Sequence, residues 1–198
     1  GNGNNVINAE GKTTFTKALL CGNGNDILTF ADVTFKNMIS TGAGNDYLSF
    51  TNGYFYEIVN LENGNNSIMG TGEAIFRKSL IVGDGSDTLH VDSIKCSGSV
   101  DLGNGNNSLT VINTADFEMG FNAGNNNDTL SFSNVTFAEA VNLGNGVNYL
   151  SATGEAIFHS YTGGNGKDTL IFDKVSFHDF VNLGDGINSL AASGTAYF

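Results

Sequence analysis

Proline and tryptophan are absent from these 198 residues, and there are only two cysteines, three histidines and eight lysines plus arginines. Each scarcity excludes something. Proline removes a backbone donor and is confined to the edges and bulges of sheets, so a chain without it is free to pair along its whole length. Eight basic residues against twenty acidic ones leave a net charge of −12. That balance excludes a broad electrostatic grip on nucleic acid or on an anionic membrane surface. Cations are the natural counterpart instead. No apolar run approaches the roughly 18 residues of a membrane-spanning helix. No signal peptide is visible; the chain opens at Gly1 on a turn motif and stops at Phe198 partway through a unit, so we expect a segment of a longer array.

Glycine, by contrast, occurs 27 times, and it is periodic. GGNGKDTLI at 163–171 has counterparts in GNGNDILTF at 22–30, GAGNDYLSF at 42–50, GDGSDTLHV at 83–91 and GNNNDTLSF at 124–132. A sister string carries asparagine at the aspartate position: GNGNNVINA at 1–9, ENGNNSIMG at 62–70, GNGNNSLTV at 103–111, GNGVNYLSA at 144–152 and GDGINSLAA at 184–192. The ten unit starts are therefore 1, 22, 42, 62, 83, 103, 124, 144, 164 and 184, in steps of 20 or 21 residues. From the third unit on, aspartate and asparagine versions alternate. A fixed period of this size is the mark of a stacked repeat fold.

The seventh residue of every unit is Leu or Ile, from Ile7 and Leu28 to Leu170 and Leu190. Further apolar pairs follow at spacing two, such as Val33/Phe35, Val135/Phe137, Val59/Leu61 and Val181/Leu183. Spacing of two puts both side chains of a pair on one face of a strand. One unit then folds as two or three short strands joined by turns, and it cannot bury its apolar face alone. Stacking coil on coil in parallel, about 4.8 Å apart, buries that face and forms ladders of like residues. In the asparagine units the aromatic falls one place later, at Phe15, Phe76, Phe117, Phe158 and Phe198. Cys96 takes a slot held elsewhere by Phe35 and Phe137, and Cys21 one held by Leu61 and Leu102, so both read as buried apolar substitutes and not as a disulfide. The expected fold is all-β: one parallel β-solenoid of about ten coils spanning residues 1–198.

The turns carry the candidate chemistry. Asp26, Asp46, Asp87, Asp128 and Asp168 recur at one edge of the rod beside glycine-rich turns that offer carbonyl oxygens. Calcium takes about six to eight hard oxygen ligands, more than one turn supplies, but two turns one coil apart can hold an ion between them. Stacked carboxylates without counterions repel, so a cation would stabilise the stack. Asn5, Asn66, Asn107, Asn148 and Asn188 offer an uncharged oxygen and can equally form a side-chain amide ladder without metal.

Residues 163–171, GGNGKDTLI, match the nonapeptide G-G-x-G-x-D-x-U-x, and the other aspartate units match it less the first glycine. On this motif the chain resembles the RTX (repeats-in-toxin) proteins. The resemblance implies calcium ligation by the turn aspartates and by turn carbonyls, here Asn23, Gly24, Ala43, Gly44, Asp84, Gly85, Asn165, Gly166 and Asp185. Asp84 and Asp185 would also add a carboxylate. The Asp26–Asp46 junction, where two aspartate coils are adjacent, is the expected first site. The resemblance also implies export by a bacterial type I system and folding on extracellular calcium, at the cell surface or beyond it. The usual family roll carries two such turns per coil, whereas one recurs per 20 residues here. That is closer to the arrays of large RTX adhesins and surface-layer proteins.

Other motifs fall away. His90, His159 and His178 are expected at unrelated slots, and GKT at 11–13 lacks the glycine of a phosphate loop. No unit breaks the repeat in the manner of an active site, so an enzyme is not expected. The expected role is a calcium-binding spacer, stalk or lattice segment. A metal-independent adhesive or self-assembling solenoid, associating end to end through open strand edges, is the second reading. An ice- or glycan-binding face is the third, on the outward Ser/Thr row that includes Thr29, Ser49, Thr110 and Ser131.

Overall fold

The computed structural model describes all residues, Gly1–Phe198, and contains no helix. Ten coils stack into one parallel β-solenoid, in which each strand pairs with its equivalent one coil away. Numbering coils by the unit starts above, coil two runs as a nine-residue strand, Ile27–Phe35, and a two-residue strand, Ile39–Ser40. Both apolar pairs of the first half therefore lie on one continuous strand. In coils seven and eight that strand absorbs the short one as well, giving Thr129–Asn142 and Tyr149–Thr162.

The register follows the Leu/Ile column: Ile7↔Leu28↔Leu48↔Ile68↔Leu89↔Leu109↔Leu130↔Leu150↔Leu170↔Leu190. The extra residue of the asparagine coils is taken up as a bulge, for example between the pairs Val91↔Val111 and Ile94↔Ala115. The late phenylalanines thus return to level with the others. Phe35, Phe55 and Phe76 stack with ring centroids 5.7 and 4.6 Å apart and planes within 7°. Cys96 pairs in register with both Phe76 and Phe117 and interrupts this aromatic file. Both cysteines are free and buried, and burial pushes their thiols up to about 11. The core is one apolar cluster of 43 buried residues running along the axis, which no single coil could assemble.

Glycine at the third turn position has a packing cause. Gly44 has φ +152°, and a Cβ there would collide with the carbonyl oxygen of Gly24 in the coil before. At that φ, coil spacing leaves no depth for a side chain. Where asparagine replaces this glycine, at Asn126, it too adopts a positive φ, of 87°.

Candidate metal and ladder site at the turns

The fifth turn residue of each coil, Asp or Asn, stands in a single file. Its Oδ1 accepts the backbone N–H of the fifth residue one coil earlier. The chain of bonds is unbroken from Asn5 N–H to Asp26 (2.7 Å), Asp26 to Asp46 (2.8 Å) and Asp46 to Asn66 (2.9 Å) through to Asp168 N–H to Asn188 (2.8 Å). The five aspartates are 0–2 % exposed. Their carboxyl groups therefore face into the rod and do not line its outer edge.

Aspartate and asparagine differ only in the second terminal atom. Asn66 donates its Nδ2 hydrogens to the Glu62 and Val82 carbonyls, both at 3.0 Å, and Asn107 to those of Gly103 and Ala123, both at 3.1 Å. In the aspartate coils that atom is Oδ2. At Asp26, Asp46, Asp87, Asp128 and Asp168 it is buried without a hydrogen-bond partner. Burial dominates the electrostatics. It pushes Asp87 and Asp128 up to about 7, against the N–H groups of Asn66 and Asn107, which favour the ionised form. Asp168 is raised by burial against the same opposition from Asn148. Asp46 is raised by burial, partly offset by Thr41 and the Asp26 N–H, with Asp26 and Glu62 adding repulsion.

The residue five places before the file separates the two kinds of coil. It is Leu61, Leu102, Leu143 or Leu183 before an asparagine, and Cys21, Thr41, Val82, Ala123 or Gly163 before an aspartate. Large and small side chains thus alternate at this slot beside the polar file from coil three onward.

The carbonyls implied as ligands split into two sets. Those of Asn23, Ala43, Asp84, Asn165 and Asp185 each accept an N–H from the third residue of the preceding turn, at 2.6–2.9 Å. Those of Gly24, Gly44, Gly85 and Gly166 lie directly over the next coil's third glycine, where they would collide with any Cβ. Asp84 and Asp185 are exposed, apart from the buried file; the Asp84 carboxylate accepts from the Asn104 N–H at 2.9 Å.

Two further ladders escape a reading centred on aspartate. At the second turn position Asn63, Asp84, Asn104 and Asn125 each accept the N–H of the residue one coil on, as Asn4, Asn25, Asn45 and Asn65 do at the fourth. The signal was the recurrence of asparagine at both positions. The histidines require a correction. His159 and His178 follow the register pair Phe158↔Phe177, so they share a column, and both are exposed. The inserted residue of coil eight conceals this alignment when positions are counted along the sequence.

No group of three His, Cys, Asp or Glu side chains converges anywhere in the chain. A metal at the turns would therefore rest on one or two carboxylates and on carbonyls. The residues fit a hard cation: every donor is oxygen, and five buried carboxylate oxygens lack a partner. No family model, no curated protein and no solved structure matches the chain.

Proposed function

We propose that this chain is a calcium-responsive structural segment of RTX-like repeats, serving as a spacer, stalk or lattice element of a secreted bacterial surface protein. One observation carries the reading. Five aspartates hold a buried, unpartnered Oδ2 in the file where asparagine coils hold an amide N–H bonded to carbonyls. An anionic oxygen in such a place calls for a proton or a cation, and a bare carboxylate there is costly. Calcium supplies positive charge to that file when bound. The aspartates and the glycine carbonyls hold it, while the leucine and phenylalanine columns keep successive turns in line. Net charge of −12 favours cation uptake as well. Scarce calcium inside a cell would leave the stack weakened; extracellular calcium would complete it.

Isothermal calorimetry with Ca²⁺ after EDTA treatment, paired with thermal melting, tests this. We expect binding heat and a higher melting temperature. Absence of both rejects the reading.

A metal-independent rod is the second reading, because the Oδ1 file and the second-position carbonyls are already satisfied within the protein. Undiminished β circular dichroism and melting temperature in EDTA would favour it. For an ice- or glycan-binding face the support is weaker: Met69, His90 and Ile171 stand in register within the Ser/Thr row.

A further inference from the structure

Each coil has a second corner, between its long and its short strand: residues 36–38 in coil two, for example, and 178–180 in coil nine. These corners stack into an edge of the rod away from the turns. The first corner N–H donates to a carbonyl one coil back, as Tyr56 does to Phe35 and Arg77 to Phe55.

Charge along this edge is sorted by position. Taken with the outward strand residue two places before them, the corners of coils one to five hold Lys17, Lys36, Arg77, Lys78 and Lys95 against one acid, Glu57. That is five of the chain's eight basic residues. Coils six to nine hold Asp116, Glu118, Glu139 and Asp179, and no Lys or Arg. The chain's two ion pairs mark the seam between these halves: Lys95 meets Asp116 at 2.8 Å and Glu118 at 2.5 Å. The other four basic side chains are exposed and have no carboxylate partner. Arg77 instead places its Cζ 5.4 Å from the centroid of the Tyr56 ring. Apolar groups accompany the charges. Lys36, Asn37, Met38, Glu57 and Ile58 line an open notch of about 260 Å³. In coil nine Phe180 is half exposed beside Asp179.

We infer that two copies of this chain pair side by side and antiparallel along this edge, about a two-fold axis between coils five and six. Turned about that axis, coil two faces coil nine, coil three faces coil eight, and coil four faces coil seven. Lys36 then meets Asp179, Glu57 meets the exposed imidazole of His159, and Arg77 and Lys78 meet Glu139. Symmetry makes each contact twice. Phe180 comes over the notch that holds Met38 and Ile58, while Lys17 faces the last coil without an opposite charge. Charge also fixes the register. A slip of one coil sets Glu57 against Glu139 in one direction and against Asp179 in the other, and a parallel pair in register sets like against like. An edge this narrow buries little area, so the pair is of modest affinity and sensitive to salt. The pairing is lateral, distinct from association through strand edges at the rod ends, and it needs no cation at the turns.

Sedimentation equilibrium of the full chain tests the inference, with calcium present so that the rod is folded on either reading of the turns. We expect a monomer–dimer equilibrium that weakens about tenfold or more between about 50 and 500 mM NaCl. A chain carrying Arg77→Glu and Lys78→Glu, and a second carrying Glu139→Lys, are each expected to be monomeric alone. Mixed, they are expected to dimerise, because opposite charges then meet at both contacts. Phe180→Ser is expected to weaken the wild-type pair about tenfold. All four positions are exposed, and unchanged far-ultraviolet circular dichroism establishes that the variants fold. Zero-length carbodiimide crosslinking is expected to join Lys36 to Asp179. These lie seven coils apart, about 34 Å on one rod, so the link forms only between copies. A monomer up to about 0.5 mM in low salt overturns the inference. So does a dimer indifferent to salt and to both charge reversals, which would point to the strand edges instead, or a mixture of the reversed chains that stays monomeric.

Discussion

Aspartate coils and asparagine coils share one turn and one Oδ1 bond to the neighbouring coil; within the polar file they differ by a single terminal atom. In the asparagine coils that atom is a donor facing carbonyls, and the file is complete. In the aspartate coils it is an acceptor facing acceptors, and the file is left in need of positive charge. The comparison teaches that the ladder supplies the shape, and that the aspartates would supply the cation response we propose. A chain of asparagine coils alone would be a fixed rod. On the proposed reading, aspartate in alternate coils would make the same rod sensitive to a bound cation, while keeping most charges two coils apart.

The strongest way to break the comparison is to convert a satisfied coil into an unsatisfied one. Asn66→Asp removes two 3.0 Å amide bonds and sets four aspartates, 26, 46, 66 and 87, in succession. We expect a loss of about 3 kcal/mol in EDTA at neutral pH, read by denaturant melting, because a buried acceptor then faces carbonyls. Calcium should recover part of it.

The converse change is smaller. Asp128→Asn restores a donor at an orphaned position, and we expect the metal-free protein to gain about 1–2 kcal/mol and the calcium-induced rise in melting temperature to shrink. A loss of stability would show that the Asp128 carboxylate is already satisfied.

The last expected effect is a pH slope, to which the polar file contributes through its aspartate coils. Asp87 and Asp128 are raised from an ordinary 3.8 to about 7 in the folded protein. The folded state therefore holds protons that the unfolded state releases. Their contribution is fully present below about pH 4 and is lost as pH rises towards 7. Glu118 runs the other way: Lys95, 2.5 Å from it, holds its carboxyl below the ordinary range, so its small exposed contribution fades as pH falls. Melting temperatures in EDTA should thus fall between pH 4 and 7, and the fall should flatten in an Asp87→Asn, Asp128→Asn double variant.

Much of this was legible in the primary structure for a simple reason. Leu or Ile at every seventh unit position, with apolar partners two residues on, fixes which side chains share a face. Glycine at the first and third turn positions marks where the chain reverses. The turn aspartates were identified correctly as one file. Their inward orientation was not legible, because turn residues carry no strand alternation to fix a face. The extra residue of the asparagine coils showed as a late aromatic, but its absorption in a bulge did not: the bulge brings Phe76 and Phe117 level with Cys96, and His159 level with His178.

The amino-acid order by itself determined the period, the parallel stacking and the identity of the apolar columns, since these depend on spacing along the chain. Only the tertiary structure decided that each carboxylate has one satisfied oxygen and one orphan, and that Gly163 lies so close to Asp168 Oδ2 that a Cβ would collide with it. Those facts depend on what residues 20 or 21 positions away present across a gap of one coil, and a buried polar atom is satisfied or not by that neighbour alone.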